Sequence, residues 1–207
     1  KNEAEARRLY GLAAAQGHAA AQHNLAVLHA QGRGGRPKDE VEARRLLSLA
    51  AAQSHCHAQY NLATMHIEGR GGPKDEAEAR RLYGLAAAQG HAAAQYHLAV
   101  MLVQGHGGPK DEAEARRLLG LAAVEGDPHA QYSLGNIHSR GIDVPKDEVE
   151  TRRLLGLAAA QGHAAAQYDL GILHADGHGG PKDEEEARRL LGLAAAQGDE
   201  RALLRME

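Results

Sequence analysis

Apolar positions in this chain recur at helical spacing. Ala21, Leu25, Leu28 and Gly32 form one such set, and Ala94, Leu98, Met101 and Gly105 form another. Offsets of four, three and four put each set on one helical face. Burying a leucine is worth roughly 1.5–3 kcal/mol, so this stripe is expected to be a seam between helices. A second kind of helix runs through Arg-Arg-Leu into an alanine-rich stretch and stops at Gln-Gly, as at Gly90, Gly126 and Gly162. Glycine just past a last turn tolerates a left-handed backbone and is the expected C-terminal signal. We call the second kind helix B and the kind that follows it, such as Ala92 to Gln104, helix A.

The two kinds alternate with a fixed period. Glu-Ala-Arg begins at Glu5, Glu42, Glu78, Glu114 and Glu186, and Glu-Thr-Arg begins at Glu150. The spacings are 37, 36, 36, 36 and 36, the odd one arising from Arg36 in the first loop. Such a period belongs to solenoids whose unit is a helix pair. Each helix B opens on an Asp N-cap with Glu three residues later, as Asp39/Glu42, Asp75/Glu78, Asp111/Glu114, Asp147/Glu150 and Asp183/Glu186. That spacing predicts reciprocal capping boxes. The expected organisation is one array over residues 1–207, with units of about 18–53, 54–89, 90–125, 126–161 and 162–197 and half-units 1–17 and 198–207. It starts on a helix B and ends early in a helix A, around Ala202 to Met206. Terminal repeats normally carry an atypical polar cap, so this phase is that of a piece of a longer array. An intact protein with half-units as caps is the alternative.

Composition narrows the chemistry. The chain has 207 residues, 43% hydrophobic and 25% charged, with no Phe or Trp and only six Tyr. Its core must therefore be shallow, built where helices approach closely across Ala. A formal net charge of −3 gives no field to draw in nucleic acid. The Arg pairs, such as Arg44-Arg45 and Arg80-Arg81, have acidic neighbours at helical spacing (Glu76–Arg80 and Glu78–Arg81) and read as a solvated charged face. One Cys, Cys56, excludes an internal disulfide framework. No apolar run approaches the ~20 residues that span a bilayer. The compartment is open: cytoplasmic solubility is slightly favoured, with organellar or membrane-complex-peripheral places retained because Lys1, not Met, opens the chain.

Fourteen histidines invite a metal. His29, His66, His138 and His174 sit at equivalent positions, however, and stacked helices separate such positions by about 10 Å. Zinc needs ligands near ~2.0–2.1 Å. In His55-Cys56-His57, adjacent residues do not face one another on a helix. The loops Gly69-Arg70-Gly71-Gly72 and Gly105-His106-Gly107-Gly108 lead into Asp-Glu helix starts, which repel phosphate, and read as turns. No Ser/His/Asp, Gly-x-Ser-x-Gly or His-Glu-x-x-His pattern is present. We expect no catalytic residue, no metal and no cofactor.

From Ala58 to Gly90 the chain reads Ala-Gln-Tyr-x-Leu-Ala-x-Met, then Gly-x-Gly-Gly-Pro-Lys-Asp, then Glu-Ala-x-x-Leu-Tyr-x-x-Ala-Ala-x-Gln-Gly. This pattern resembles the Sel1-like repeat family, and the resemblance covers essentially the whole chain. It implies an all-α fold, a right-handed superhelix of tetratricopeptide-like helix pairs, and a role as an adaptor in multi-protein assemblies. The chain departs from the family where helix B usually carries an aromatic, having Leu46, Leu82, Leu118, Leu154 and Leu190. It also has His29, His66, His138, His174 and Leu102 where a late helix-A Tyr is frequent. A cysteine-rich branch associated with β-lactam hydrolysis carries paired cysteines in each repeat, and Cys56 alone argues against membership.

Beside the invariant stripe of helix A runs a variable one. It reads Ala20, Asn24, Val27, Gln31, then His57, Asn61, Thr64, Glu68, then Ala93, His97, Val100, Gln104. It continues as His129, Ser133, Asn136, Arg140 and as Ala165, Asp169, Ile172, Asp176. A packing face would not tolerate Val, Thr, Val, Asn and Ile at one position. By analogy with helix-pair solenoids, this stripe is expected on the concave side. The favoured function is a scaffold binding a peptide segment or protein surface there, through the non-alanine residues. The alternatives are an architectural subunit docked by loops or convex face and, distantly, a β-lactamase-like enzyme.

Overall fold

The computed structural model describes residues 2–142 and 144–206; Lys1, Asp143 and Glu207 lie outside that description. The described residues form twelve α-helices and no strand. The B helices are α1 (Glu3–Ala15), α3 (Glu40–Ala52), α5 (Glu76–Ala88), α7 (Glu112–Val124), α9 (Glu148–Ala160) and α11 (Glu184–Ala196). The A helices are α2 (Ala19–Gln31), α4 (Cys56–Glu68), α6 (Ala92–Gln104), α8 (Pro128–Arg140), α10 (Ala164–Asp176) and α12 (Glu200–Met206). Contacts divide the chain into two compact units, Lys1–Ala115 and Arg116–Glu207. In the first, each helix from α1 to α6 packs on the next, and in the second so does each helix from α8 to α12.

The core is made of alanine and leucine, as the missing aromatics require. Ala26, Ala43, Ala50, Ala63, Ala79, Ala86 and Ala99 are fully buried, with Leu46, Leu47, Leu62 and Leu82 between them. The expected seam is buried at Ala21, Leu25, Ala94 and Met101, whereas Leu28 and Leu98 are only half-buried. The seam is centred one residue further round the helix, on Gln22 and Ala26 and their repeats. Sequence reasoning passed over that line because its leading residue is polar.

Four of the buried glutamines share one pattern of two partners. Gln59 Nε2 donates to Ala51 O at 3.3 Å, and Gln59 Oε1 accepts from Gln89 Nε2 at 2.7 Å. Gln89 ends helix α5, so one side chain ties α3, α4 and α5 together. Gln22 repeats this with Ala14 and Gln53, Gln131 with Ala123 and Gln161, and Gln167 with Ala159 and Gln197. Gln95 donates to Ala87 O at 3.2 Å, but its Oε1 has no hydrogen-bond partner among the described residues.

Capping differs from the expected boxes in one half. Asp39 Oδ1 accepts the Glu42 N–H at 3.0 Å, and the other four aspartates do the same at 2.9–3.0 Å. The aspartate N–H, however, is already committed to a carbonyl late in the preceding helix A: Asp39 to His29 O, Asp75 to His66 O. The N3 glutamate is therefore released, and it pairs with arginine one turn on, as Glu42–Arg45 and Glu78–Arg81 at 2.7 Å. The expected Glu76–Arg80 pair does not form. Arg80 Nη1 instead donates to Pro109 O at 2.8 Å, and Arg44 and Arg152 make the same bond to Pro73 O and Pro181 O.

That arginine is the clasp of the α3–α4, α5–α6 and α9–α10 hairpins. The glycine loop folds back onto the start of helix B so closely that a Cβ at Gly71 would overlap the Glu40 carbonyl oxygen. Arg44 Nη2 also reaches His66 Nδ1 at 2.8 Å, and Arg152 reaches His174 Nδ1 at 2.7 Å. Three of the late helix-A histidines, His29, His66 and His174, thus lie against an arginine. Burial, and then the arginine charge, hold His29, His66 and His174 below the ordinary histidine pKa.

Ser54 stands where the other Gln-Gly turns have glycine, and it is held at φ +62°. The left-handed region costs an L-residue roughly 1–2 kcal/mol, offset by glycine's extra chain entropy of roughly 0.5–1 kcal/mol. Ser54→Gly is expected to raise the unfolding free energy by up to about 1 kcal/mol in urea titrations. In the same assay Leu82→Ala, at a side chain 2% exposed, is expected to cost ~3 kcal/mol, and half-buried Leu98→Ala clearly less.

Candidate protein-binding surface

The variable stripe keeps one exposure pattern within each unit. Its fourth positions, Gln31, Glu68 and Gln104 in the first unit and Arg140 and Asp176 in the second, are exposed. Its middle positions, Asn24, Val27, Asn61, Thr64, His97 and Val100, then Ser133, Asn136, Asp169 and Ile172, are half-buried; His57 and His129 are exposed. Half-burial means one flank of each side chain rests on a neighbour while the other is offered to solvent. Val100 and Ile172 expose apolar surface in this way.

The structure gathers some of these residues and leaves others apart. Val27, Gln31, Asn61 and Thr64 line a cleft of 310 Å³ in the first unit, floored by Leu47 and Met65. Asn136, Arg140, Asp169 and Ile172 line a second cleft of 530 Å³ in the second unit. Asn24, His57, Glu68, His97, Val100, Gln104, His129, Ser133 and Asp176 border neither. Thr64 Oγ1 lies 3.0 Å from the hydroxyl of Tyr83, whose burial pushes its pKa up to about 12. His97 stacks on the same ring, with centroids 5.3 Å apart.

Two cleft residues escaped the sequence reading. Arg201 and Arg205 lie 36 residues beyond Ala165 and Asp169, so they continue the stripe into α12, and both line the second cleft. The period alone could have found them. Arg201 lies 4.2 Å from the Tyr168 ring centroid and pairs with Asp199 at 2.8 Å and Asp169 at 3.3 Å. Asp169 also accepts from the Tyr132 hydroxyl at 3.0 Å, and burial raises its pKa.

Histidines cap several A helices and fix a proton arrangement along this surface. His55, His91 and His163 occupy the N-cap, where Nδ1 accepts the N–H of Ala58, Ala94 and Ala166 at 3.2 Å. An accepting Nδ1 places the proton of the neutral ring on Nε2. His91 Nε2–H then points at His57 Nδ1 at 3.1 Å, and His163 Nε2–H at His129 Nδ1 at 3.2 Å. Each capping ring stacks on an aromatic one repeat back: His55 on His23, His91 on Tyr60, His163 on Tyr132. No group of three or more His, Cys, Asp or Glu among the described residues is arranged to hold a metal. His55 caps a helix, and Cys56 beside it is half-buried.

These rings predict a pH dependence with a definite sign. Burial lowers the pKa of His23 and His55 from the ordinary 6.5; crowding by neighbouring histidines lowers it further, and the Asn24 hydrogen bond offsets part of this at His23. The unfolded chain therefore takes up protons that the folded chain rejects, and stability falls as pH drops below 6.5. Protonation of His55 also abolishes a cap worth ~0.5–2 kcal/mol. The carboxylates paired with arginine, such as Glu42, are shifted down and lose their contribution only below the histidine range. We expect His23→Asn/His55→Asn, which retains a capping acceptor, to lose less melting temperature than wild type between about pH 7.5 and pH 5.5; parallel curves would show that these rings do not carry the effect.

The repeat and the comparisons converge. Sel1 repeat models match residues 1–18, 19–55, 56–91, 92–127, 128–163 and 164–199. The chain belongs to the Sel1 repeat family, with the all-α helical-repeat architecture of that family. It is 34% identical to a Sel1 repeat protein from Oxalobacter formigenes, with a TM-score of 0.89 over 97% of this chain and 59% of that one. It is 30% identical to a protective antigen of uropathogenic Escherichia coli strains displaying an SLR fold, with a TM-score of 0.83 over 95% of this chain and 42% of that one. A Klebsiella pneumoniae sel1 repeat protein shares 25% identity at a TM-score of 0.59, covering 96% of both chains. The chain thus spans about three-fifths and two-fifths of the first two relatives. No curated protein matches it. Sel1 repeat proteins are generally protein-interaction scaffolds and typically not enzymes. No described helix is long and apolar enough to cross a membrane.

Proposed function

We propose that this chain is an interaction scaffold that holds a peptide segment or protein surface along the A-helix stripe. The supporting observation is that the stripe is the part of the repeat that varies, and that it lines a cleft in each compact unit. The clefts pair apolar floors, Leu47 and Met65 in one and Leu155 and Leu173 in the other, with polar rims. Such mixed surfaces suit recognition: the apolar floor supplies affinity, and the polar groups select the partner.

A second reading rests on a different surface. Leu12, Leu49 and Leu85 in the first unit and Leu121, Leu157 and Leu193 in the second recur at one helix-B position, each 41–54% exposed. A row of exposed leucines is a surface by which an architectural subunit could be docked permanently.

One capture experiment with cross-linking separates the two. A stripe variant would carry Val27→Glu, Gln31→Ala, Asn136→Ala and Ile172→Glu, and a helix-B variant Leu85→Glu and Leu157→Glu. The stripe variant is expected to lose a partner that the helix-B variant keeps, with both melting near wild type. The converse loss would move binding to the leucine row and overturn the stripe reading.

A further inference from the structure

The second cleft differs from the first in charge. The first contains one charged side chain, Arg70, which is committed to Glu40 at 2.7 Å and Glu68 at 3.1 Å. The second is lined by Arg140, Arg201, Arg205 and Asp169. Arg201 and Asp169 belong to a closed network: Asp169 takes the Tyr132 hydroxyl and Arg201, and Arg201 takes Asp199. Arg140 and Arg205 have no ion-pair partner among the described residues. Even with Asp199 counted, three arginines against two aspartates leave this cleft positive, in a chain whose formal net charge is −3.

The lining also has an apolar part, Leu155, Ile172 and Leu173 with the Tyr132 and Tyr168 rings, beside the polar Asn136, Ser139 and Thr151. A volume of 530 Å³ accommodates several side chains but not a folded domain. Guanidinium groups select carboxylates, which match their forked donors. Basic partners would meet Arg140 and Arg205 before they reached Asp169, which is already partnered.

We infer that this cleft binds an acidic segment of a partner protein, an extended stretch in which carboxylate side chains alternate with apolar ones. The carboxylates meet Arg140 and Arg205, and the apolar side chains rest on Ile172 and Leu173. An extended chain turns alternate side chains to opposite sides, which suits a site with a charged rim and an apolar floor. The inference rests on the scaffold reading and specifies the chemistry of what the scaffold holds.

The test is fluorescence anisotropy of the whole chain with a short labelled peptide alternating Glu and Leu, and with its Gln/Leu counterpart. The glutamate peptide is expected to bind at least about tenfold more tightly than the glutamine peptide, and to weaken as salt is raised. Arg140→Gln/Arg205→Gln is expected to weaken it by about tenfold, while Arg140→Lys/Arg205→Lys, which keeps the charge, recovers part of the loss. Lys74→Gln/Lys110→Gln removes the same charge from loops of the first unit and is expected to leave binding within about twofold of wild type. Equal affinity for the two peptides, no binding of either, or an equal loss in the lysine variant overturns the inference. Such a result leaves the scaffold reading standing if the stripe variant still loses its captured partner, so the two failures are distinguishable.

Discussion

The buried glutamine of helix A is the constraint on which the rest of this structure depends. A primary amide taken out of water must have its hydrogen bonds met or lose roughly 1–3 kcal/mol for each group left unpaired. Gln59 meets this condition only if the end of α3, the start of α4 and the end of α5 stand in one arrangement. Apolar contacts between alanines cannot impose that by themselves, since they tolerate small slides and rotations. The glutamine also sets the rotation of its own helix. At about 100° per residue, fixing Gln59 inward turns Asn61 about 200° away and carries Thr64 and Glu68 with it. The exposure of the variable stripe is thus a consequence of the one polar residue that must not be exposed.

The second device, the arginine clasp, joins a helix B to the helix A and the loop that follow it. Arg44 fastens the glycine loop to helix B through Pro73 O and fastens the last turn of helix A through His66. In the α5–α6 hairpin Leu102 replaces the histidine, and Arg80 keeps its bonds to the His106 and Pro109 carbonyls. The loop bond is therefore the common part of the device, and the histidine contact is an addition that a buried leucine can replace. Both devices use side-chain donors on backbone carbonyls, which do not depend on the identity of the residue supplying the carbonyl. Neighbouring positions can then change without loosening the frame.

Much of this was legible in the sequence. The period, the helix boundaries and the aspartate caps follow from residues whose local effect is strong: Gly at positive φ, Asp at an N-cap, alanine on a crowded face. The errors arose where a residue's role was set by a distant partner. The glutamate three residues after Asp39 looked like half of a capping box, but its place had been taken by the carbonyl of His29, ten residues earlier. Arg44 and Arg45 looked alike, yet one lies over the loop and the other faces solvent beside Glu42. Gln59 and its repeats were passed over as a seam because amides are usually at the surface. The stripe was legible as a variable line, and its extension to Arg201 and Arg205 follows from the same period. No local signal indicated which of its members share a cleft, because the clefts form between helices 36 residues apart.

The placement of charge bears on how such a scaffold could discriminate. A formal net charge of −3 acts at long range and is largely screened beyond a Debye length of about 8 Å at physiological salt. Within that distance, a partner on the second cleft meets mainly Arg140 and Arg205, and a partner on the first meets Val27, Gln31 and Thr64. The two surfaces share a frame and differ in chemistry. This follows from keeping the structural hydrogen bonds on glutamine, arginine and aspartate outside the stripe. Asp169 is the exception that takes part in the largest network. It is a stripe residue drawn into a structural network with Tyr132 and Arg201, and its neighbourhood is correspondingly the most built part of the surface. Where recognition residues also take part in internal bonding, their geometry is set before a partner arrives, which lowers the ordering cost of binding.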